Sequence, residues 1–361
     1  MSIPQFIQSK LNLKQKLHLL PNHPIEIIKK KIYSYLNDLH NYSFQMFDEL
    51  DPIVTVEENF DKLLIPKSHP ARSKSDTYYI DDSHVLRTQT SAHQNELLSK
   101  KIISFAVTGD VYRKDEINST HYPIFHQMEI LTIIEKDLDP VEELKKIILG
   151  LIIYLFGNCE YEFKPDYFPF TDPSFEVEIN SQKLNKKIEI LGCGVVQPEI
   201  LKSNGFDNHK AIACGFGLDR LAMLLLEIPD IRILWVNHDR FLNQYSDGKM
   251  NIFKPYSTVP PQYRDISFYV PNIINSNIIK GKWAQESDFL DLIRNYNEIA
   301  EVECVESFYN EKLKKNSFLY KIKFAPCDPT IKNGAIFTEC VNETMQKLQA
   351  ILVEKLHVEI R

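Results

Sequence analysis

No C-x-x-C pair occurs among the six cysteines, at 159, 193, 214, 304, 327 and 340. Their wide spacing fits neither a disulfide framework nor a zinc knuckle, and points to a reducing compartment. No apolar run has the length of a membrane span; the richest, Ile147 to Phe156, is too short and is interrupted by Gly150. Basic charge is not in excess either. The formal net charge of −7 argues against a protein that coats nucleic acid nonspecifically, though local patches can still contact RNA. Residues 249–361 are nearly neutral, with 15 Lys/Arg against 14 Asp/Glu, so the acid excess lies upstream. The first 25 residues hold three lysines, no acid and no arginine, which resembles a transit peptide stripped of its usual arginines.

What is present suits two soluble domains: 361 residues, 43% apolar and 25% charged. Pro24 followed by Ile25, Ile28, Ile32, Leu36 and Leu39 predicts a first helix, and the stretch 142–155 a second. Strand-like runs follow at 160–164, 174–180, 187–191 and 211–215, before a helix that begins at Asp219. That order predicts an antiparallel sheet flanked by helices, not a βαβ array. A polar, proline-marked linker begins at Gln244. Beyond it the order β-α-β-β-α-β predicts a ferredoxin-like domain. The expected class is therefore α+β, divided into an extension (1–23), a core domain (24–243), a linker (244–255) and a second domain (256–361).

The stretch Val111 to Ile134, VYRKDEINSTHYPIFHQMEILTII, carries the most chemistry. It reads as two strands, over 105–112 and 124–134, joined by a loop too polar for helix or core. Alternation puts Phe125, Gln127 and Glu129 on one face and His126, Met128 and Ile130 on the other. A ring, an amide and a carboxylate sharing a face can stack a planar base and grip an ammonium. Arg113, at the root of the loop, has the fork geometry that suits phosphate. The competing reading is an edge hairpin with ordinary surface charges. A zinc reading of His121, His126 and Glu129 fails, because the spacing is wrong and His126 points away from Glu129. Gly215-Phe-Gly217-Leu-Asp219-Arg220 lacks the third glycine of a dinucleotide turn. Its two glycines instead let a base approach closely, and they aim Arg220 from a first helical turn. Phe168 and Phe170 lie two residues apart on one face of an extended Phe-Pro-Phe and can pinch an aromatic ring edge-to-face; core packing is the alternative.

The Val111–Ile134 stretch resembles the second signature motif of class II aminoacyl-tRNA synthetases, in the version found in phenylalanyl-tRNA synthetases. Four further blocks carry the likeness in the family's order: RTQTSAHQ (87–94), YFPFTDPSFEVEI (167–179), IEILGCGVV (188–196) and ACGFGLDRLAML (213–224). The chain is most similar to the single-chain organellar form, from about Pro24 to Arg361. The resemblance implies activation of phenylalanine with ATP and its transfer to tRNA(Phe), with Mg2+ accompanying the ATP. A catalytically inactive, synthetase-like RNA-binding or regulatory protein is the alternative.

The roles implied by the resemblance are specific. Arg113 would bind the α-phosphate and the attacking carboxylate, and Arg220 the terminal phosphates. His121 would approach the phosphates, Asp115 the adenine or its arginine partner, and Phe125 would stack the adenine beside Gly215 and Gly217. Gln127 and Glu129 would take the substrate ammonium. Ser91 and Gln94 would stand near its carboxylate and amino end, within a block that includes Ala92 and His93. Phe168 and Phe170 would hold the ring, and Ala213 would floor its para position. Asp172, Glu176 and Glu189 are the magnesium candidates. Three positions depart from the family: Gln89 for histidine, Cys214 for phenylalanine, and Asp172 for a longer glutamate. The second domain is similar to the anticodon-binding domain that closes the organellar family. A monomer in the mitochondrial matrix or another organelle is expected, with no membrane association and no separate editing subunit.

Overall fold

The computed structural model describes residues 3–181, 186–236, 239–255, 259–270, 283–326, 331 and 333–361. Cys327 and residues 256–258, at the start of the expected second domain, lie outside the described residues. The chain forms two compact units, one of residues 1–3 and 13–253, the other of residues 4–12 and 254–361. Residues 4–12 group with the second unit and residues 13–23 with the first. Helix α1 (Gln5–Leu11) belongs to the second unit, where it buries Phe6 and Ile7 and where the Phe6 backbone N–H donates to Asp288 Oδ1 at 3.4 Å.

The first unit is built on a seven-stranded sheet. Its strands are β1 (Gln45–Phe47), β2 (Ser104–Tyr112), β3 (Ile124–Ile134), β4 (Tyr161–Phe168), β5 (Thr171–Ser181), β6 (Lys186–Val196) and β7 (Lys210–Gly217), in the spatial order β1-β2-β3-β7-β6-β5-β4. Every pairing is antiparallel except β1 with β2. Helix α2 (Pro24–Asn37) starts as predicted at Pro24, whose fixed φ suits the first turn. His23 caps it, accepting from the Ile25 N–H at 3.2 Å, and Ile25, Ile28, Ile32 and Leu36 form its buried stripe. Helix α3 (Pro140–Phe156) is capped by Asp139, which accepts from the N–H groups of Val141 and Glu142, both at 2.9 Å. It packs on β6 and β7 through an apolar face that includes Leu144, Ile148 and Leu151. Helix α4 (Leu218–Leu225) leaves the end of β7 directly, so Arg220 falls in its first turn.

The second unit holds strands β8 (Gln262–Tyr269), β9 (Ile299–Asn310), β10 (Lys315–Phe324) and β11 (Glu359–Ile360), with helices α5 (Glu286–Ile293) and α6 (Gly334–Leu356). The spatial order is β9-β10-β8-β11, all antiparallel. This is the 4-1-3-2 order of a ferredoxin-like sheet read from its other edge. Phe268, Phe289, Tyr320, Phe324 and Phe337 fill one core between sheet and helices. Each is fully buried, and such aromatic side chains contribute about 1.5–3 kcal/mol each on leaving water.

Candidate active site

The site begins with a bare patch of sheet. On β3, Gln127 lies opposite Gly109 of β2 and Gly217 of β7, while Glu129 lies opposite Gly215. One strand further, Gly215 faces Gly192 of β6, and Ala213 faces Gly194. Directly opposed residues project from the same face. An amide and a carboxylate thus stand on a floor made of five glycines and an alanine.

The missing side chains make room for others. A Cβ at Gly109 would lie 1.9 Å from Arg87 Nη2, and one at Gly192 would lie 2.8 Å from Phe168 Cζ. A Cβ at Gly215 would come within 2.9 Å of Gln127 Nε2 and 3.0 Å of Glu129 Oε2. The guanidinium of Arg87 and the ring of Phe168 therefore take the space that side chains at Gly109 and Gly192 would fill.

Glu129 is buried. Ser91 Oγ donates to its Oε2 at 2.9 Å and Gln94 Nε2 to its Oε1 at 2.6 Å. Burial pushes its pKa up to about 7, and those two hydrogen bonds act to lower it. The Thr90 N–H donates to Gln127 Oε1 at 3.2 Å. Thr90 Oγ1 and Gln94 Oε1 are buried without a hydrogen-bond partner. A carboxylate, an amide oxygen and a hydroxyl with spare acceptor capacity suit an ammonium group.

Phe168 and Phe170 stand nearly parallel, centroids 6.0 Å apart and planes at 18°, so a ring set across them meets both edge-to-face. Phe170 also packs into the core beneath. Two residues of the Arg87–Gln94 block are placed elsewhere. Ala92 is part of a small core with Val54, Phe60 and Val85, and the His93 ring bonds Arg87 Nη1 at 2.9 Å and Glu96 Oε2 at 3.1 Å. Both flank Ser91 and Gln94, and their own contacts here are within the protein. Ala213 is buried next to Gly215 and packs with the core that includes Phe105 and Leu131.

The cationic side lies at the ends of β2 and α4. Arg113 Nε donates to the Thr88 carbonyl at 2.9 Å, and its guanidinium lies 5.2 Å from the Phe125 ring centroid. The charges of Asp115, Glu189 and Arg220 all act on it, which brings four of the expected residues into one field. Arg220 pairs with Glu189 through Nη1–Oε2 at 3.2 Å and donates to the Glu189 carbonyl at 3.0 Å; both side chains are about half exposed. Glu176 has its pKa raised by partial burial and by the charges of Glu189, Asp166 and Glu178. Asp172 is four residues before Glu176 on the same strand, across a register shift between Thr171 and Ser174. His121 and Asp115 are exposed in the β2–β3 loop. There the His121 ring bonds Asn118 Oδ1 at 3.1 Å, and Asp115 Oδ1 accepts from the Glu116 N–H at 2.7 Å.

Arg87, Thr90, Gly109, Gly192 and Gly194 belong to this site but were not singled out in the sequence. The Gly192-Cys-Gly194 alternation was the available signal, since a strand interior gives up side chains only where something else must come close.

A class II synthetase fold with an ammonium socket on β3 has known relatives. The family described as tRNA synthetases class II core domain (F) matches residues 9–245. The chain belongs to that family. A chloroplastic/mitochondrial phenylalanine–tRNA ligase of Arabidopsis thaliana is 41% identical over 373 residues, covering 100% of this chain and 82% of its own. The mitochondrial phenylalanine–tRNA ligase of Mus musculus is 34% identical over 404 residues (100% and 86%), and that of Saccharomyces cerevisiae 34% over 431 residues (96% and 89%).

Proposed function

We propose that this synthetase activates phenylalanine with ATP and transfers it to tRNA(Phe) inside an organelle, as the names of its relatives say of them. The observation that carries the reading is the buried Glu129 with the half-buried Gln127 on a glycine floor beside the Phe168–Phe170 pair. That arrangement takes an ammonium and an aromatic ring at once. A tyrosine hydroxyl would meet Ala213 and the apolar core it packs with, which a phenylalanine ring suits better.

The substrate ammonium binds Glu129 and Gln94, and its carboxylate lies toward Arg113. The carboxylate oxygen attacks the α-phosphorus of ATP in line, the bond to the β-phosphate oxygen breaks, and pyrophosphate leaves. Arg113 neutralises the charge at the α-phosphate and Arg220 that of the leaving phosphates; positioning and electrostatics supply the acceleration. The adenine stacks on Phe125. A ribose hydroxyl of the tRNA then attacks the acyl carbon and releases AMP. Glu176 and Glu189 offer oxygen ligands in a field of surplus negative charge, a donor set that fits Mg2+, which would offset the triphosphate charge. The ferredoxin-like unit reads the anticodon by stacking and edge hydrogen bonds on its sheet, and the enzyme acts as a monomer.

The decisive experiment is ATP–pyrophosphate exchange with each amino acid in turn, followed by charging of tRNA(Phe). Phenylalanine should be the dominant amino acid supporting exchange. Exchange absent with phenylalanine would end the proposal.

A further inference from the structure

On the back of the ligand platform, three buried side chains aim unpartnered atoms at one point. Asp110 and His126 are direct cross-strand partners on β2 and β3, one residue along from Gly109 and Gln127 but on the opposite face. His18 comes from the segment that precedes α2. Their relative exposures are 3%, 0% and 2%. Among the described residues, this is the one group of three metal-ligating side chains whose ligand atoms all lie within 4.8 Å of one another.

The protonation pattern makes the cluster unusual. His18 Nε2 lies 2.9 Å from the Asp48 carbonyl oxygen, so it carries the ring proton and leaves Nδ1 as a bare lone pair. His126 Nδ1 lies 3.2 Å from both oxygens of Asp219, so the proton sits there and Nε2 is bare. Asp110 Oδ2 accepts from Tyr112 Oη at 3.0 Å and faces Lys16 Nζ at 2.8 Å. That leaves Oδ1, which is 3.4 Å from His18 Nδ1 and 3.9 Å from His126 Nε2. None of the three atoms has a well-formed hydrogen bond; the nearest approach, His18 Nδ1 to Asp110 Oδ1, is long at 3.4 Å. Three converging lone pairs in a dry interior repel one another unless something positive stands between them.

We propose that His18 Nδ1, Asp110 Oδ1 and His126 Nε2 bind a divalent first-row cation, zinc before the others, as a structural site. Two imidazoles with one carboxylate suit zinc and its neighbours and not magnesium or calcium. A tetrahedral zinc shell holds its ligand atoms roughly 3.3 Å apart, close to the two separations that involve Asp110. Both histidines already have the outer partner that orients a metal-binding ring: a carbonyl for His18 and a carboxylate for His126. The ion would fasten the segment before α2 to the rear of the platform. Through His126 and Asp219 it would also steady the start of α4, where Arg220 stands. The rival occupant is a proton, on His18 facing Asp110 or on His126. Burial opposes that proton, but Asp219 and then Asp110 outweigh it and raise the pKa of His126.

The test uses the full-length protein expressed in zinc-supplemented medium and purified without chelator. Mass spectrometry of the elements should find about one metal ion per chain. A strong chelator should remove it and lower Tm by several degrees, and added zinc should restore both. Cobalt(II) added to the stripped protein should give visible absorption of tetrahedral intensity, a readout that needs no variant. His18→Asn, which removes one ligand at the edge of the cluster, should lose the metal and the zinc-dependent Tm shift while keeping its circular dichroism. Metal content near zero with no zinc or cobalt response in the parent protein would overturn the proposal and leave the proton as occupant. Unchanged stoichiometry in a folded His18→Asn would overturn it equally.

Discussion

Glu129 faces Gly215 across the β3–β7 ladder, and a methyl group at 215 would sit 3.0 Å from the carboxylate oxygen Oε2 and 2.9 Å from Gln127 Nε2. Neither side chain has room to yield. Glu129 is held by Ser91 and Gln94, and Gln127 by the Thr90 N–H. Gly215→Ala should therefore leave the fold intact and displace the ammonium socket. The kcat/KM for phenylalanine is expected to fall roughly 10- to 100-fold, about 1.4–2.7 kcal/mol. The KM for ATP should change less. Pyrophosphate exchange titrated separately in each substrate checks this, and equal losses for both would point to general distortion.

Glu129 also ties activity to pH. Its carboxyl is raised to about 7 in the free protein by burial, so below that pH it is protonated and cannot pair with an ammonium. Phenylalanine binding measured by calorimetry should weaken by about tenfold or more from pH 8 to pH 5.5. Stability runs the other way. The folded state holds this proton more tightly than the unfolded chain, so stability is lost as pH rises from the unfolded value of 4.5 through 7. The ionised group costs on the order of 3 kcal/mol. Glu129→Gln should accordingly melt higher than the parent at pH 8, show a flatter pH dependence, and fail to bind phenylalanine. A lower Tm in that variant would mean that the carboxylate supports the fold.

The platform was legible in the sequence because it is local. The strand Ile124 to Ile134 has the predicted bounds, and a period of two fixed which of its residues share a face. The ferredoxin-like order could be read for the same reason. Long-range placement was not legible. Helix α1 looked like part of a leader because its partner α5 follows almost three hundred residues later. Ala92 and His93 sit in a block of polar residues, yet only the folded chain shows Arg87 and Glu96 claiming the histidine. His18 could not be linked to His126 by spacing at all.

The two arginines should separate by what each touches. Arg113 is braced by the Thr88 carbonyl and the Phe125 ring, whereas Arg220 is held by Glu189. Alanine at either position should abolish exchange; the melting curve should stay within about a degree or two for Arg220→Ala, since surface ion pairs contribute little to stability, and fall somewhat further for Arg113→Ala, which loses a hydrogen bond and a ring contact. Lysine at 113 should rescue poorly, because it cannot offer the planar fork. Near-normal exchange in Arg113→Ala would remove this segment as the ATP platform.

Truncation tests the division of labour and depends on where the cut falls. Deleting residues 254–361 alone would strip helix α1 of the unit it belongs to and expose Phe6 and Ile7. Such a fragment should aggregate. Deleting residues 1–12 as well removes the orphaned helix and should give a soluble first unit that keeps its own sheet and site. That fragment is expected to form phenylalanyl-adenylate at close to the parent rate. Charging of tRNA(Phe) should fall by two orders of magnitude or more, since loss of stacking contacts at about 1–3 kcal/mol per base compounds quickly. Exchange and charging assayed on one preparation separate the outcomes. Full charging by the fragment would refute an anticodon role for the second unit, and loss of exchange would show that the catalytic unit does not stand alone.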